Sequence, residues 1–188
     1  LDPQNVRIAS DVGVAAVEIL RVLIKPGDKV LIDTPVYNNF FNWLNEVKAE
    51  VVEVPMRSEE LHYTYDLAGI ESAYKSGVNV HILCNPQNPT GTVHAKADLQ
   101  KIADLAVAYG VTVISDEIHA PLTYVTEDFY PFLAISENAR RVGITITSAS
   151  KSFNIAGLKC AIIVSQDERL NELLATMPMA VQIGRAHV

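Results

Sequence analysis

Short apolar runs alternate with amphipathic segments along this chain, and most of the runs close on a polar turn. Asp11–Leu23 reads as a helix, with Val12, Val14, Ala15, Ala16, Ile19 and Leu20 supplying its apolar stripe. Lys25-Pro26-Gly27-Asp28 breaks it, and Val30–Ile32 follows as a short buried strand. Tyr37–Val47 is predicted helical and Glu50–Val54 extended. Asp66 is placed as the N-cap of a helix running to about Ser76. Val78–Cys84 is a strand ending in a proline-rich turn, and Ala95–Tyr109 a helix closed by Gly110. Val111–Ser115, Val142–Thr147 and Cys160–Val164 are three further strands, and Glu168–Met177 begins another helix. Apolar strands spaced by helices imply an α/β fold, a mostly parallel sheet with helices on both faces. Ligands of such sheets gather beyond the carboxyl ends of the strands. The polar clusters Asn85–Gly91, Asp116–His119 and Ser148–Lys151 all fall at such ends.

Bulk properties narrow the function. With 188 residues the chain suits one domain or part of a larger one, and 49% hydrophobic residues suffice for a core. The net charge of −7 argues against a nucleic-acid partner, which needs a basic face. Cys84 and Cys160 each sit in an apolar run that reads as a buried strand. A disulfide framework is therefore not expected, and a cytoplasmic setting fits. No apolar run approaches the roughly 18 residues of a membrane span, so no membrane partner is expected. The last residues, Ile183-Gly184-Arg185-Ala186-His187-Val188, have no helical or strand period. They resemble a sequencing-adapter oligonucleotide translated in frame. On that reading residues 182–188 are a non-native tail, natural sequence stops near Val181, and Arg185 and His187 carry no function. A natural polar tail is the alternative.

Three local patterns carry chemistry. Asn85-Pro86-Gln87-Asn88-Pro89-Thr90-Gly91 packs two Asn-Pro pairs behind a buried strand, which forces a rigid turn. A cis Asn88–Pro89 bond is expected there. Alone, the pattern also reads as an ordinary loop. Ser115-Asp116-Glu117-Ile118-His119 places an acid at the buried end of a strand, costly unless it meets a cation. A helix N-cap or surface turn is the plain alternative. In Ser148-Ala149-Ser150-Lys151-Ser152-Phe153-Asn154-Ile155-Ala156-Gly157-Leu158, a lysine follows two small hydroxyl residues. An exposed lysine is the ordinary reading, but the small neighbours and Gly157 argue for something packed close. The five histidines have no metal-ligand spacing, so no metal site is expected.

As an ordered set, N-P-x-N-P-T-G, D-E-x-H and S-x-S-K-x-F-N-x-A-G resemble the class I/II aminotransferase-like, fold type I enzymes that use pyridoxal 5′-phosphate (PLP). Thr34-Pro35-Val36-Tyr37, Ser115–His119 and Lys151–Leu158 are most similar to the MalY/PatB-type cystathionine β-lyases, or cysteine-S-conjugate β-lyases. The resemblance runs from about Val6 to Val181. It implies that residues 1–181 are part of the PLP-binding large domain of the aspartate aminotransferase-like fold, without the smaller domain. It also implies a homodimer when full length.

The resemblance assigns roles by position. Lys151 would be the Schiff-base lysine and would move the α-proton. Asp116 would pair with the pyridine N–H, Asn88 would bond the phenolic oxygen, and Tyr37 would stack on the ring. Backbone amides of Val12 and Gly13 would hold the phosphate at a helix N-terminus, joined by Ser148 and Lys159. His119 would lie near the cofactor oxygen as a further catalytic residue. The chain departs from the pattern in two places. Asp11-Val12-Gly13-Val14 is less glycine-rich than in many aminotransferases, and Lys159 stands where many have arginine. The implied reaction is α,β-elimination of cystathionine or a cysteine S-conjugate to pyruvate, ammonia and a thiol. An aminotransferase is the alternative, since the motifs around the ring are shared. The effector domain of a transcription regulator is a more distant one.

Overall fold

The computed structural model describes residues 3–125 and 128–181. The expected tail at 182–188 lies outside the described residues. The strands are β1 (Val6–Ala9), β2 (Lys29–Thr34), β3 (Glu50–Pro55), β4 (Arg57–Glu59), β5 (His62–Thr64), β6 (Val78–Cys84), β7 (Thr112–Asp116), β8 (Gly143–Thr147) and β9 (Ala161–Ser165). The helices are α1 (Val12–Leu23), α2 (Asn39–Glu46), α3 (Leu67–Lys75), α4 (Lys96–Tyr109), α5 (Phe132–Ile135), α6 (Glu137–Val142) and α7 (Glu168–Ala175).

Among the described residues, seven strands form one sheet in the order β1-β9-β8-β7-β6-β2-β3. The five strands from β8 to β3 run parallel, and β9 is antiparallel to both β8 and β1. Two cores sandwich this sheet. One joins α1, α2 and α7 to Val30, Ile32, Val80, Ile82, Ile114, Ile144 and Ile146. The other joins α3, α4, α5 and α6 to Leu31, Leu83 and Val113. Residues of opposite parity thus feed opposite faces, as a two-residue side-chain period demands. The mostly parallel sheet covered on both faces agrees with the expectation from the apolar pattern.

Local chemistry sets the ends of the elements. Asp11 caps α1, its side chain accepting from the Val14 amide at 2.8 Å. Ile19 and Leu20 of this helix are fully buried, each worth about 1.5–3 kcal/mol in transfer from water. Gly110 closes α4 at φ 71°, the left-handed region that favours glycine. Gly143 opens β8 under α6, where an added Cβ would come within 2.5 Å of the Ala139 carbonyl oxygen.

Several expectations need correction. The second helix begins at Asn39 rather than Tyr37, which leaves Tyr37 in the loop after β2. Asp66 is the N-cap residue of α3 and Ser76 its C-cap, as expected, although the Asp66 side chain makes no capping bond. Its carboxylate instead takes Arg57 at 2.7 Å. Cys160 is exposed and lies just ahead of β9, not inside a buried strand. The Asn88–Pro89 peptide is cis, and so are Thr34–Pro35 and Asn85–Pro86. Among the described residues no helix is long and apolar enough to cross a membrane.

Candidate active site

The alternation that builds the core also selects which side chains meet at the carboxyl edge of the sheet. On β6 and β7, Cys84 and Asp116 share the face of Ile82 and Ile114, toward α1. Ser148 continues that series one residue beyond β8. A cavity of about 370 Å³ opens between these strand ends and the start of α1. Every residue singled out from the sequence lines it: Val12, Gly13, Tyr37, Asn88, Asp116, His119, Ser148, Lys151 and Lys159. Asp11, Trp43, Cys84 and Cys160 also contribute to its wall.

Asp116 is 5% exposed, and its carboxylate accepts the Ile118 amide at 3.1 Å. Burial pushes its pKa up to about 6, against the opposing pull of that amide and of the Lys151 ammonium. The acid therefore lacks enough local positive charge to be comfortably ionised. Lys151 stands in the turn after β8, exposed on the cavity. Burial first, then Lys151, holds His119 below the usual imidazole range despite the Pro86 carbonyl, which favours the charged form. His119 is thus a neutral ring at neutral pH. Burial, and secondarily Asp116, pushes the Cys84 thiol up to about 12, so Cys84 packs rather than reacts.

At the other end of the cavity, the first-turn amides of α1 have no acceptor within the helix. Burial opposes charge on Asp11, but the Val14 amide and Lys159 outweigh it and keep that carboxyl below its ordinary range. Lys159 meets Asp11 at 3.1 Å, and both groups are partly exposed, so the pair adds little stability. Ser148 donates to the Cys160 carbonyl at 2.6 Å and accepts from the Ser150 amide at 3.1 Å. Its hydroxyl must rotate to donate to any anion bound here.

The donor set suits a flat ring with a cationic nitrogen at one end and a phosphate at the other. A ring cation beside Asp116 would supply the partner that its raised pKa lacks. The α1 amides, the Ser148 hydroxyl and the Lys159 ammonium would face the phosphate. Asn88 and Tyr37 stand between the two ends. No residue present closes off that arrangement.

Two contributors escaped the sequence reading. Trp43, on α2, stacks on Phe40 at 4.9 Å and meets Tyr37 edge-on at 6.3 Å. A Cβ on Gly13 would lie 3.2 Å from the Trp43 indole nitrogen, so glycine there keeps the start of α1 close to that ring. Only the three-dimensional approach reveals this pairing. Glu117, next to Asp116, points to the opposite face and is 4% exposed. Its Oε1 accepts from the Phe132 amide at 2.8 Å, Ser115 at 3.0 Å and Thr145 at 3.4 Å. It ties β7 to β8 and α5 beneath the cavity.

Glu117 carries a stability prediction. Burial pushes its pKa up to about 7, in spite of the Phe132, Ser115 and Thr145 donors. The folded protein therefore holds this proton more tightly than the unfolded chain, whose glutamate titrates near its ordinary value. The stabilising contribution is full below that value and is lost as pH rises through about 7. The melting temperature of the cofactor-free, full-length protein should fall by a few degrees between about pH 5 and about pH 8. Glu117→Gln should flatten that slope, with Asp116 supplying the remainder. A melting temperature that rises over the same interval would contradict the assignment.

The chain is similar to known proteins. The family described as aminotransferase class I and II matches residues 1–182. A putative cystathionine beta-lyase of Mycobacterium leprae is 38% identical over 100% of this chain and 47% of its own length. A PLP-bound putative aminotransferase from Clostridium difficile superposes with a TM-score of 0.91 at 32% identity, covering 97% of this chain and 47% of that one. Cystalysin from Treponema denticola, which contains a pyridoxal 5′-phosphate cofactor, superposes at 0.88 with 30% identity, covering 95% and 47%. The chain spans about half the length of the curated relatives it matches.

Proposed function

This chain belongs to the aminotransferase class I and II family, and on that premise we propose that the full-length protein is a PLP-dependent carbon–sulfur β-lyase. It would cleave cystathionine or a cysteine S-conjugate to a thiol, pyruvate and ammonia. The observation that carries the reading is the meeting of Lys151, Asp116, Asn88 and the start of α1 around one cavity. The cystathionine beta-lyase similarity and the cystalysin likeness favour the lyase chemistry.

When bound, PLP supplies an aldehyde for amino groups and a protonated ring that accepts the electron pair left by a departing proton. The protein's own side chains do the rest. Lys151 would hold the cofactor through Nζ, and its amine, when free, would take the α-proton. Asp116 would keep the ring nitrogen protonated. Asn88 would donate its amide to the phenolic oxygen, and Tyr37 would cover one face. The Val12 and Gly13 amides, Ser148 and Lys159 would hold the phosphate. His119, which lines the cavity and feels the Lys151 charge, would lie near the cofactor oxygen. The electron pair left when the Cα–H proton departs then forms the Cα=Cβ bond, while the Cβ–S pair leaves with sulfur as a thiolate. The released enamine then hydrolyses to pyruvate and ammonia.

Homodimerisation and a cytoplasmic location belong to the same reading. Phe153, 69% exposed, and Leu158, 72% exposed, both follow Lys151 in sequence and are large apolar side chains of the kind that a second copy covers. The free Cys84 and Cys160 suit a reducing compartment.

The second reading is an aminotransferase, favoured by the 0.91 superposition on the Clostridium difficile protein. The two are separated by incubating full-length protein with cystathionine, with and without a keto-acid acceptor. Pyruvate and thiol formed without acceptor is the expected result. Turnover that requires the acceptor and releases no thiol would replace the lyase reading by transamination.

A further inference from the structure

The turn that carries Asn88 is held by more than its own backbone. Gln87, 2% exposed, reaches from the end of β6 to the loop after β2. Its Nε2 donates to the Pro35 carbonyl at 2.8 Å and lies 3.5 Å from that of Asp33. With the amide nitrogen spent as a donor, Oε1 must accept, and it does so from His94 Nε2 at 3.3 Å. The reverse amide orientation would set two oxygens against each other at Pro35. His94 is therefore the Nε2–H tautomer. It is 2% exposed, and burial lowers its pKa to about 4, so it stays a neutral donor. Stacking on Tyr65 at 3.9 Å and a bond from the His94 amide to Asn85 Oδ1 at 3.2 Å hold the ring and its backbone.

Pro35 lies two residues before Tyr37, and Gln87 lies next to Asn88. The Gln87–Pro35 bond thus joins the two cavity walls that bear those side chains. We propose that Gln87, oriented by His94, is a positioning residue that sets the spacing between Asn88 and Tyr37 across the bound cofactor, a role that rests on the functional reading above. Loss of the brace leaves the Pro35 carbonyl and the His94 N–H buried without partners, and the two walls free to drift.

The test uses full-length holoenzyme. Gln87→Met keeps the side-chain length and removes both bonds. His94→Phe keeps the stack on Tyr65 and removes only the donor to Oε1. Tyr74→Phe is the control, because it deletes an equally buried 2.7 Å bond to His81 within the core on the face away from α1. Gln87→Met should weaken PLP binding roughly tenfold or more. It should also move the pH midpoint of the bound cofactor's visible band by at least about half a unit, since Asn88 no longer meets the ring oxygen squarely. His94→Phe should shift both in the same direction by less, and it carries the test if Gln87→Met does not fold. Tyr74→Phe should lower the melting temperature and move neither. Wild-type affinity and midpoint in Gln87→Met, or equal shifts in Tyr74→Phe, would overturn the proposal. A wild-type protein that binds no PLP is a different result, and it would overturn the functional reading with this proposal.

Discussion

Lys151→Ala is expected to lower the rate of thiol release by at least about 10³-fold, some 4.1 kcal/mol in barrier, because one side chain supplies both the anchoring amine and the proton acceptor. Lys151→Arg should be as inactive as alanine. A guanidinium keeps the positive charge but stays protonated and cannot give its nitrogen to the aldehyde. That comparison separates an amine that reacts from a cation that merely balances Asp116. Neither variant should change the melting temperature of the cofactor-free protein much, since Lys151 is exposed in its turn and surface changes of this kind stay within about 0.5 kcal/mol. An arginine variant with more than a few percent of wild-type turnover would sink the assignment.

Asp116→Asn should cost on the order of 10²-fold or more in kcat, about 2.7 kcal/mol, with a smaller change in KM. The amide can still accept from the Ile118 N–H, now met at 3.1 Å, so the turn survives. What is lost is the charge that holds the ring nitrogen protonated, an interaction that strengthens as the carbanion forms. Asp116→Glu should retain more activity than asparagine. The same substitution has an opposite effect on the empty protein. Burial raises the Asp116 pKa to about 6, so the ionised side chain destabilises the cofactor-free fold once pH exceeds that value. Asp116→Asn should therefore raise the melting temperature of cofactor-free protein near pH 8 while removing activity, a stability cost accepted for function. Wild-type elimination in the asparagine variant would show that Asp116 is only a turn residue.

The parts of the fold that could be read from sequence are those in which one segment carries its own signal. The apolar run of β6 spans the strand Val78–Cys84 from end to end, and α4 ends where Gly110 takes its left-handed conformation. β1 carries no such signal, because its four residues pair only with β9, more than 150 positions away, and its burial does not alternate cleanly. The β4–β5 hairpin is short, polar and mostly exposed, so no apolar period marks it. α5 and α6 are single turns or little more, split by the Ser136 cap.

The candidate site divides in the same way. Asn88, Asp116 and Lys151 each sit on a local motif at a strand end, so their gathering in one cavity could be anticipated. Trp43 against Gly13, Lys159 against Asp11 and Gln87 against Pro35 are contacts between distant segments. No periodicity or spacing encodes them. Cys160 reads as strand because an apolar run continues past it, whereas the chain stays in an exposed turn until Ala161.

Whether Lys151 carries the cofactor is decided by one chemical measurement. Full-length protein loaded with PLP is reduced with borohydride, digested, and its peptides are mapped by mass. A pyridoxyl group is expected on the peptide containing Lys151, and none in the Lys151→Ala variant treated alike. A label on another lysine, or an unlabelled protein after reduction, would contradict it.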